Sequence, residues 1–356
     1  MWGFCLLFLL MSNFFRKSAI IVSMKKSSTL FIVSLIALLL TACKPSAPKK
    51  KKSSAEDAST SISINPTSVV PGSSSATPGS SQTSTSTSSL PPSPTEGYEE
   101  CEEAYHNSDK VGLLSALRKY ASQGEPGSYA DLWETYKTVY IRDDGKMFDY
   151  YSNITNFTPG KDQAGSYDQE GDVYNREHSI PKSWWGGGTT TGTQGCDPYL
   201  VIPTDGWVNN VRNNYSFGYV ASVKTQSANG FCKLGSSKTD WISSGTTVFE
   251  PDDSLKGDLA RIQLYAIARY PGSYNWTQDA DARLCFSGNN DDNLGFTDYA
   301  VRLFSTWSQL DPVSDWEITV SNRCEPIYGC RNPFVDHPEY ANLLWGHNSK
   351  YIPYSH

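Results

Sequence analysis

Residues 98–356 predict an α+β fold in which helices outweigh strands. Two observations lead there. Apolar residues recur at helical spacing in several segments beyond residue 110, whereas strand-like stretches are few and short. Most of the Trp, Tyr and Phe also fall in this part of the chain, which at about 260 residues can bury one large core or two fused subdomains.

The elements follow in order. Val111–Tyr120 reads as a helix with Leu113, Leu114 and Leu117 on one face, and Tyr129–Ile141 as a second with Leu132, Tyr136 and Tyr140. Asp143-Asp144-Gly145-Lys146 is a turn, Met147–Tyr151 a short strand and 158–171 a loop. Residues 219–249, rich in Gly, Ser and Thr, read as irregular. Gly257–Tyr270 is the clearest helix, with Leu259, Ile262, Ala266 and Ile267 on its apolar face and Pro271-Gly272 ending it. Residues 274–295 read as polar loop. Tyr299–Trp307, Asp315–Ser321 and Tyr340–Trp345 read as helices.

Residues 1–97 have a different character. Residues 1–23 resemble a leader extension or an upstream start. Met24-Lys25-Lys26 opens a basic segment, followed by an apolar run from Leu30 to Leu40 and by Leu40-Thr41-Ala42-Cys43. That tetrapeptide resembles a bacterial lipobox, which implies export, cleavage before Cys43 and lipidation of its thiol, and hence a membrane-anchored lipoprotein. Residues 44–97 carry Lys49–Lys52 and then a Ser/Thr/Pro tract too poor in large apolar side chains to offset its chain entropy, so they read as a disordered stalk. No later apolar run is long enough to span a bilayer.

Charge divides the same way. Residues 1–97 hold nine Lys/Arg against three Asp/Glu, a net of +6; residues 98–356 hold 21 against 34, a net of −13. An acidic body lacks the basic footprint usual in nucleic-acid binders, so a phosphate ligand there calls for a local basic cleft or a metal ion. Cys101, Cys196, Cys232, Cys285, Cys324 and Cys330 form an even set, which in an exported chain suggests disulfides, with Cys324–Cys330 the short loop. No CxxC pair points to structural zinc.

The chemistry concentrates in two stretches. The first is Tyr174-Asn175-Arg176-Glu177-His178-Ser179-Ile180-Pro181-Lys182. The second is Pro203-Thr204-Asp205-Gly206-Trp207-Val208-Asn209-Asn210-Val211-Arg212-Asn213-Asn214-Tyr215. Hydrolysing a phosphodiester requires an activated water and relief of charge on the phosphoryl oxygens. His178 is the candidate base. Glu177 and Asn209 offer oxygens to Mg²⁺, with Mn²⁺ or Ca²⁺ as alternatives. If 207–214 is helical, Asn209 and Arg212 share a face, which would let the guanidinium reach a phosphate. Arg176 and Asn214 are candidate substrate contacts. Adjacent residues of a regular strand point to opposite faces, so Glu177 and His178 serve one site only if the chain bends there. Taken singly, a Glu-His pair reads as surface, Asn209 and Asn214 as turn or cap residues, and Trp184 and Trp185 as core. His106, His347 and His356 read as surface or structural, and His337 as a residue that could sit near the cleft.

Together, Asn175–His178 with Pro181, Pro203–Asn210 and Arg212–Tyr215 resemble the bacterial endonuclease I family. Phe249-Glu250-Pro251, Lys256–Arg261 and Arg331-Asn332-Pro333-Phe334 extend the similarity over most of 105–346. The resemblance implies a ββα-metal (His-Me finger) nuclease core wrapped mostly by helices. It also implies cleavage of DNA, and often RNA, with little sequence preference, leaving 5′-phosphate ends. In that pattern His178 matches the general base, Glu177 and Asn209 the ligands of one Mg²⁺, and Arg212 a basic position near the phosphate. One departure stands out: many members carry His or Asn where this chain has Asp197-Pro198-Tyr199-Leu200-Val201-Ile202. Two other readings stay open on composition, a non-catalytic surface protein binding glycan and a phosphodiesterase or phosphatase for small substrates.

Overall fold

The computed structural model describes residues 96–346 apart from Thr239. The leader with Cys43, the linker up to residue 95, and His347 and His356 lie outside the described residues.

Three helices open the domain: α1 (Glu99–His106), α2 (Lys110–Ala121) and α3 (Asp131–Val139). Asp109 caps α2, its side chain accepting from the Gly112 amide. Leu113, Leu114 and Leu117 are buried, as their spacing predicts. The connection from 140 to 173 contains no strand. Met147 makes only an isolated bridge with Ile141. The Asp149 carboxylate takes the amides of Tyr151 (2.9 Å) and Ser152 (3.2 Å), so a side chain satisfies the donors that a ladder would have used.

β1 (Tyr174–His178) and β2 (Val201–Asp205) pair antiparallel, with Glu177 opposite Ile202 and His178 opposite Val201. Helix α4 (Gly206–Arg212) follows β2 directly, capped by Asp205 through the Val208 amide at 2.8 Å. This is a ββα unit, with two 3₁₀ turns, Lys182–Trp185 and Gln194–Cys196, in the long connection between its strands.

Residues 219–249 are not irregular. They contain most of a three-stranded antiparallel sheet in the order β3 (Val220–Gln226), β4 (Lys233–Ser237), β5 (Thr247–Glu250). The pattern was hidden because β3 is largely exposed and its pairing with β4 shifts register twice, so no apolar alternation survives.

Helix α5 (Lys256–Arg269) is the central rod, every residue but Arg269 being buried. Its polar members are partnered: Arg261 forms a two-pronged pair with Glu317 (2.6 Å on each arm), and Gln263 Nε2 donates to Ser179 Oγ at 2.9 Å. The expected loop at 274–295 contains a short helix, α6 (Ala282–Cys285). Helix α7 (Asp298–Leu310) packs on α5. Helix α8 (Asp315–Tyr328) opens on a capping box between Ser314 and Glu317 and outruns its predicted end, with Pro326 in its last turn. Short helices α9 (Pro333–Asp336) and α10 (Tyr340–Trp345) close the domain. The mixture is α+β, as predicted. No described helix is long and apolar enough to cross a membrane.

The disulfide expectation is corrected. Cys324 and Cys330 are not bonded, and all six cysteines of the domain are free and buried. Burial pushes the Cys330 thiol up to about 12, far from the thiolate that would react.

Candidate active site

An open cleft of ≈ 350 Å³ lies across the ββα unit, and Arg176, Glu177, His178, Asn209 and Asn214 all line it. The two motifs, about thirty residues apart in sequence, meet because the strand pairing folds one against the other. Glu177 and His178 share the cleft although they are adjacent. His178 is the last residue of β1, and the cleft takes residues from both faces of the strand end.

Glu177 is buried at the floor. Its Oε1 accepts from the Tyr151 hydroxyl at 2.9 Å and from Arg212 Nη1 at 2.6 Å, and among the described residues Oε2 has no side-chain partner. Burial pushes the carboxyl up to about 7, opposed by the pull of Arg212 and the Tyr151 hydrogen bond. Asn209, half-buried on α4, makes no side-chain hydrogen bond among the described residues. The cleft wall therefore offers two oxygen donors without a side-chain partner among the described residues, Glu177 Oε2 and the Asn209 amide. They are hard ligands of the kind Mg²⁺ takes one or two of while keeping most of its waters.

His178 is 6% exposed. Its Nε2 lies 3.2 Å from the Gly195 carbonyl oxygen. A carbonyl only accepts, so Nε2 carries the proton and Nδ1 keeps the lone pair. Tyr129 stacks against the ring at 5.7 Å and Trp185 lies at 6.1 Å. Burial, then the nearby charge of Lys182, holds its pKa down to about 3, so the imidazole is neutral at pH 7. Gly195 is fixed by space: a Cβ there would stand 2.0 Å from the Gly188 carbonyl oxygen.

Arg212 does not occupy the place expected of it. It is fully buried, it does not line the cleft, and its guanidinium donates to Glu177 Oε1, to the His178 carbonyl (2.9 Å) and to the Ser179 carbonyl (2.7 Å). Asn209 and Arg212 sit on α4 as predicted, but the longer side chain turns inward beneath the strand end. There it holds the Glu177 carboxylate and the carbonyls of His178 and Ser179, and it does not reach the cleft where a phosphate would lie.

The cations at the cleft are Arg176 and Lys182. The Arg176 guanidinium lies 3.5 Å from the Tyr129 ring centroid and 4.3 Å from that of Trp133. Lys182 is exposed at the cleft edge. Asn214 donates to Asp279 Oδ2 at 2.7 Å, which orients its amide. Trp184 is core, its indole donating to the Asn214 carbonyl at 3.1 Å. His337 lines no part of this cleft.

Sequence reasoning missed four supporting residues: Tyr151, Gly195, Tyr129 and Asp197. No local signal marks the first three. Asp197 was seen only as part of the departing stretch. It is fully buried, and its Oδ2 accepts from three hydroxyls, those of Tyr265 (3.1 Å), Tyr270 (2.7 Å) and Tyr328 (2.6 Å). Tyr140 donates to the Pro198 carbonyl at 2.8 Å and Tyr199 to that of Cys330 at 3.1 Å. A buried tyrosine network therefore anchors the segment that presents the Gly195 carbonyl.

Comparison with known proteins places the chain in a family. The extracellular ribonuclease of Bacillus subtilis (strain 168) is 30% identical over 261 residues, 71% of this chain and 81% of that protein. The extracellular ribonuclease of Bacillus amyloliquefaciens is 30% identical over 241 residues, 66% and 74% of the respective chains. The endonuclease I family model matches residues 108–339, which include the cleft and the helices that brace it. The chain belongs to the endonuclease I family and is a nuclease, a hydrolase of phosphodiester bonds.

Proposed function

We propose that the protein is an exported, divalent-metal-dependent endonuclease with little sequence preference that cleaves DNA and RNA to 5′-phosphate ends. The observation that carries it is the convergence in one cleft of neutral His178, its tautomer set by Gly195, with the oxygen donors of Glu177 Oε2 and Asn209, which have no side-chain partner among the described residues.

In this reading Glu177 and Asn209 hold Mg²⁺, with Mn²⁺ or Ca²⁺ as substitutes. The ion, when bound, neutralises charge on the phosphoryl and leaving oxygens. His178 Nδ1 takes a proton from water as the water oxygen bonds to phosphorus. The P–O3′ bond breaks, the 3′-oxygen is protonated from solvent, and the phosphate stays on the 5′ side. Arg176 and Lys182 attract the polyanion to an otherwise acidic domain. Arg176 is already stacked on Tyr129 and Trp133, so little side-chain freedom is lost on binding. Asn214, oriented by Asp279, is a further substrate contact. Arg212 acts through Glu177 and His178 as a positioning residue.

The names of the two relatives support RNA as a substrate and export as the destination. The lipobox at Leu40–Cys43 supports anchoring through a lipid on Cys43, which detergent-phase partitioning of the wild type and Cys43→Ala tests. No observation in the cleft favours the glycan-binding reading that composition left open.

The deciding experiment incubates the full chain with supercoiled plasmid and, separately, with RNA, in Mg²⁺ and in EDTA, beside His178→Ala. Metal-dependent nicking with 5′-phosphate ends, lost in the variant, is the expected result. Cleavage unaffected by EDTA, or 3′-phosphate ends, overturns the reading.

A further inference from the structure

Glu102 on α1, His337 just after α9 and Glu339 just before α10 lie in one group whose ligand atoms are all within 4.8 Å of one another. None of the three lines the cleft. We propose that they form a second metal site, structural in role, for a first-row divalent cation of borderline softness such as Zn²⁺.

The first argument is geometric. His337 Nδ1 lies 3.2 Å from Glu102 Oε1 and 3.0 Å from Glu339 Oε1. Donors at about 2.1 Å from one ion stand roughly 3.0 Å apart at a right angle and about 3.4 Å apart at the tetrahedral angle. Both measured separations fall in that interval, so an ion fits with little rearrangement.

The second concerns the imidazole itself. It is 5% exposed and wedged between Tyr340, stacked at 4.7 Å and 8°, and Tyr98, edge-on at 4.7 Å. A ring stacked on one tyrosine and met edge-on by another is held in place, so Nδ1 stays aimed at the two carboxylates. One nitrogen carries one proton and can serve only one of two acceptors at full strength, whereas a divalent ion serves both and offsets their mutual repulsion. The Tyr340 hydroxyl donates to Glu102 Oε1, the outer-shell bond that typically orients a ligating carboxylate. Exposed His106 lies 3.3 Å from the other Glu102 oxygen, a second imidazole at the solvent side. The mixture of imidazole and carboxylate suits Zn²⁺, Mn²⁺ or Co²⁺ better than Ca²⁺.

The elements joined explain the role. Helix α1 is eight residues long and opens the domain, and α10 is its last described helix. A bound ion would tie the two ends of the domain together, where fraying otherwise begins.

The test titrates Zn²⁺ calorimetrically into metal-stripped full chain carrying Glu177→Gln, which silences the cleft. One equivalent should bind, and adding Glu339→Gln or, separately, Glu102→Gln should weaken it at least tenfold. Zn²⁺ should raise the melting temperature of the first protein and leave the two double variants unmoved. No binding to the Glu177→Gln chain, or equal affinity in the double variants, overturns the site. So does a Co²⁺ spectrum with the near-ultraviolet bands of thiolate ligation, which would place the ion on cysteine. Glu339→Gln alone should keep full nuclease activity, so this proposal and the nuclease reading fail separately.

Discussion

The Gly195 carbonyl oxygen lies 3.2 Å from His178 Nε2, and this contact decides which imidazole nitrogen is basic. Gly195 can make it only without a side chain, because the Gly188 carbonyl occupies the space of a Cβ. In Gly195→Ala the segment must shift and the tautomer is no longer held. We expect kcat to fall about 10- to 100-fold with KM little changed, no more than the smallest loss expected on removing a positioned base outright, about 10²-fold. Steady-state cleavage of a defined oligonucleotide checks it, and a change confined to KM would refute the link to His178.

Removal of the base itself has a larger effect. His178→Ala should lower cleavage by about 10²–10⁴-fold while the far-ultraviolet spectrum stays unchanged. Near-wild-type turnover would take the proton-transfer role away from His178.

Arg212 and Glu177 form a buried pair at 2.6 Å, with 0% and 4% side-chain exposure. Arg212→Ala strands the carboxylate and unhooks two carbonyls beside the base, so the domain should lose about 3–5 kcal/mol of stability as well as activity. Urea unfolding measures the first. A variant as stable as wild type, but with weakened nucleic-acid binding, would restore the phosphate-contact role assigned from sequence.

The acid limb of activity should report Glu177 rather than His178. The Glu177 carboxyl, raised from 4.5 to about 7, holds its proton below neutrality and must shed it to accept a metal. The apparent affinity for Mg²⁺ should therefore fall about tenfold per pH unit below 7 and level off above it. His178, lowered to about 3, stays neutral throughout. Saturating Mg²⁺ at pH 5.5 should restore most of the rate. A limb near pH 6.5 that no metal concentration rescues would show that the imidazole titrates normally. For folding the signs are opposite. The raised Glu177 contributes stability fully below its unfolded value, near 4.5, and loses it as pH rises through 7. The lowered His178 contributes stability above 6.5 and loses it as pH falls toward 3.

Asp197 collects three tyrosine hydroxyls on one oxygen. Asp197→Asn replaces that acceptor with an amide that faces three donors. We expect a loss of about 2–4 kcal/mol, the cost of leaving one or two of those buried groups without partners, together with a fall in kcat through Gly195. Thermal unfolding and kinetics on the same preparation check both, and an unchanged melting temperature would remove the anchoring role.

The sequence by itself determined most of the longer helices and supplied the candidate side chains of the site. Helix α5 and the apolar faces of α2 and α3 were legible because 3.6-residue spacing and a breaking Pro-Gly are local properties. Glu177, His178 and Asn209 were legible because their side chains suit one reaction and their flanking residues match a known pattern. Only the tertiary structure decided how those groups work. That Gly195 orients His178, that Tyr151 and Arg212 hold Glu177, and that Asp197 gathers tyrosines from α5, its C-cap and α8 are contacts between residues 17 to 131 positions apart. Arg212 shows the limit most clearly. Its helical position was predicted, but whether a guanidinium faces a phosphate or a buried carboxylate depends on which surface its helix packs against. The β3–β5 sheet shows it for the fold: an exposed strand with shifted register leaves no periodic apolar trace, and its partners are specified only when the chain closes on itself.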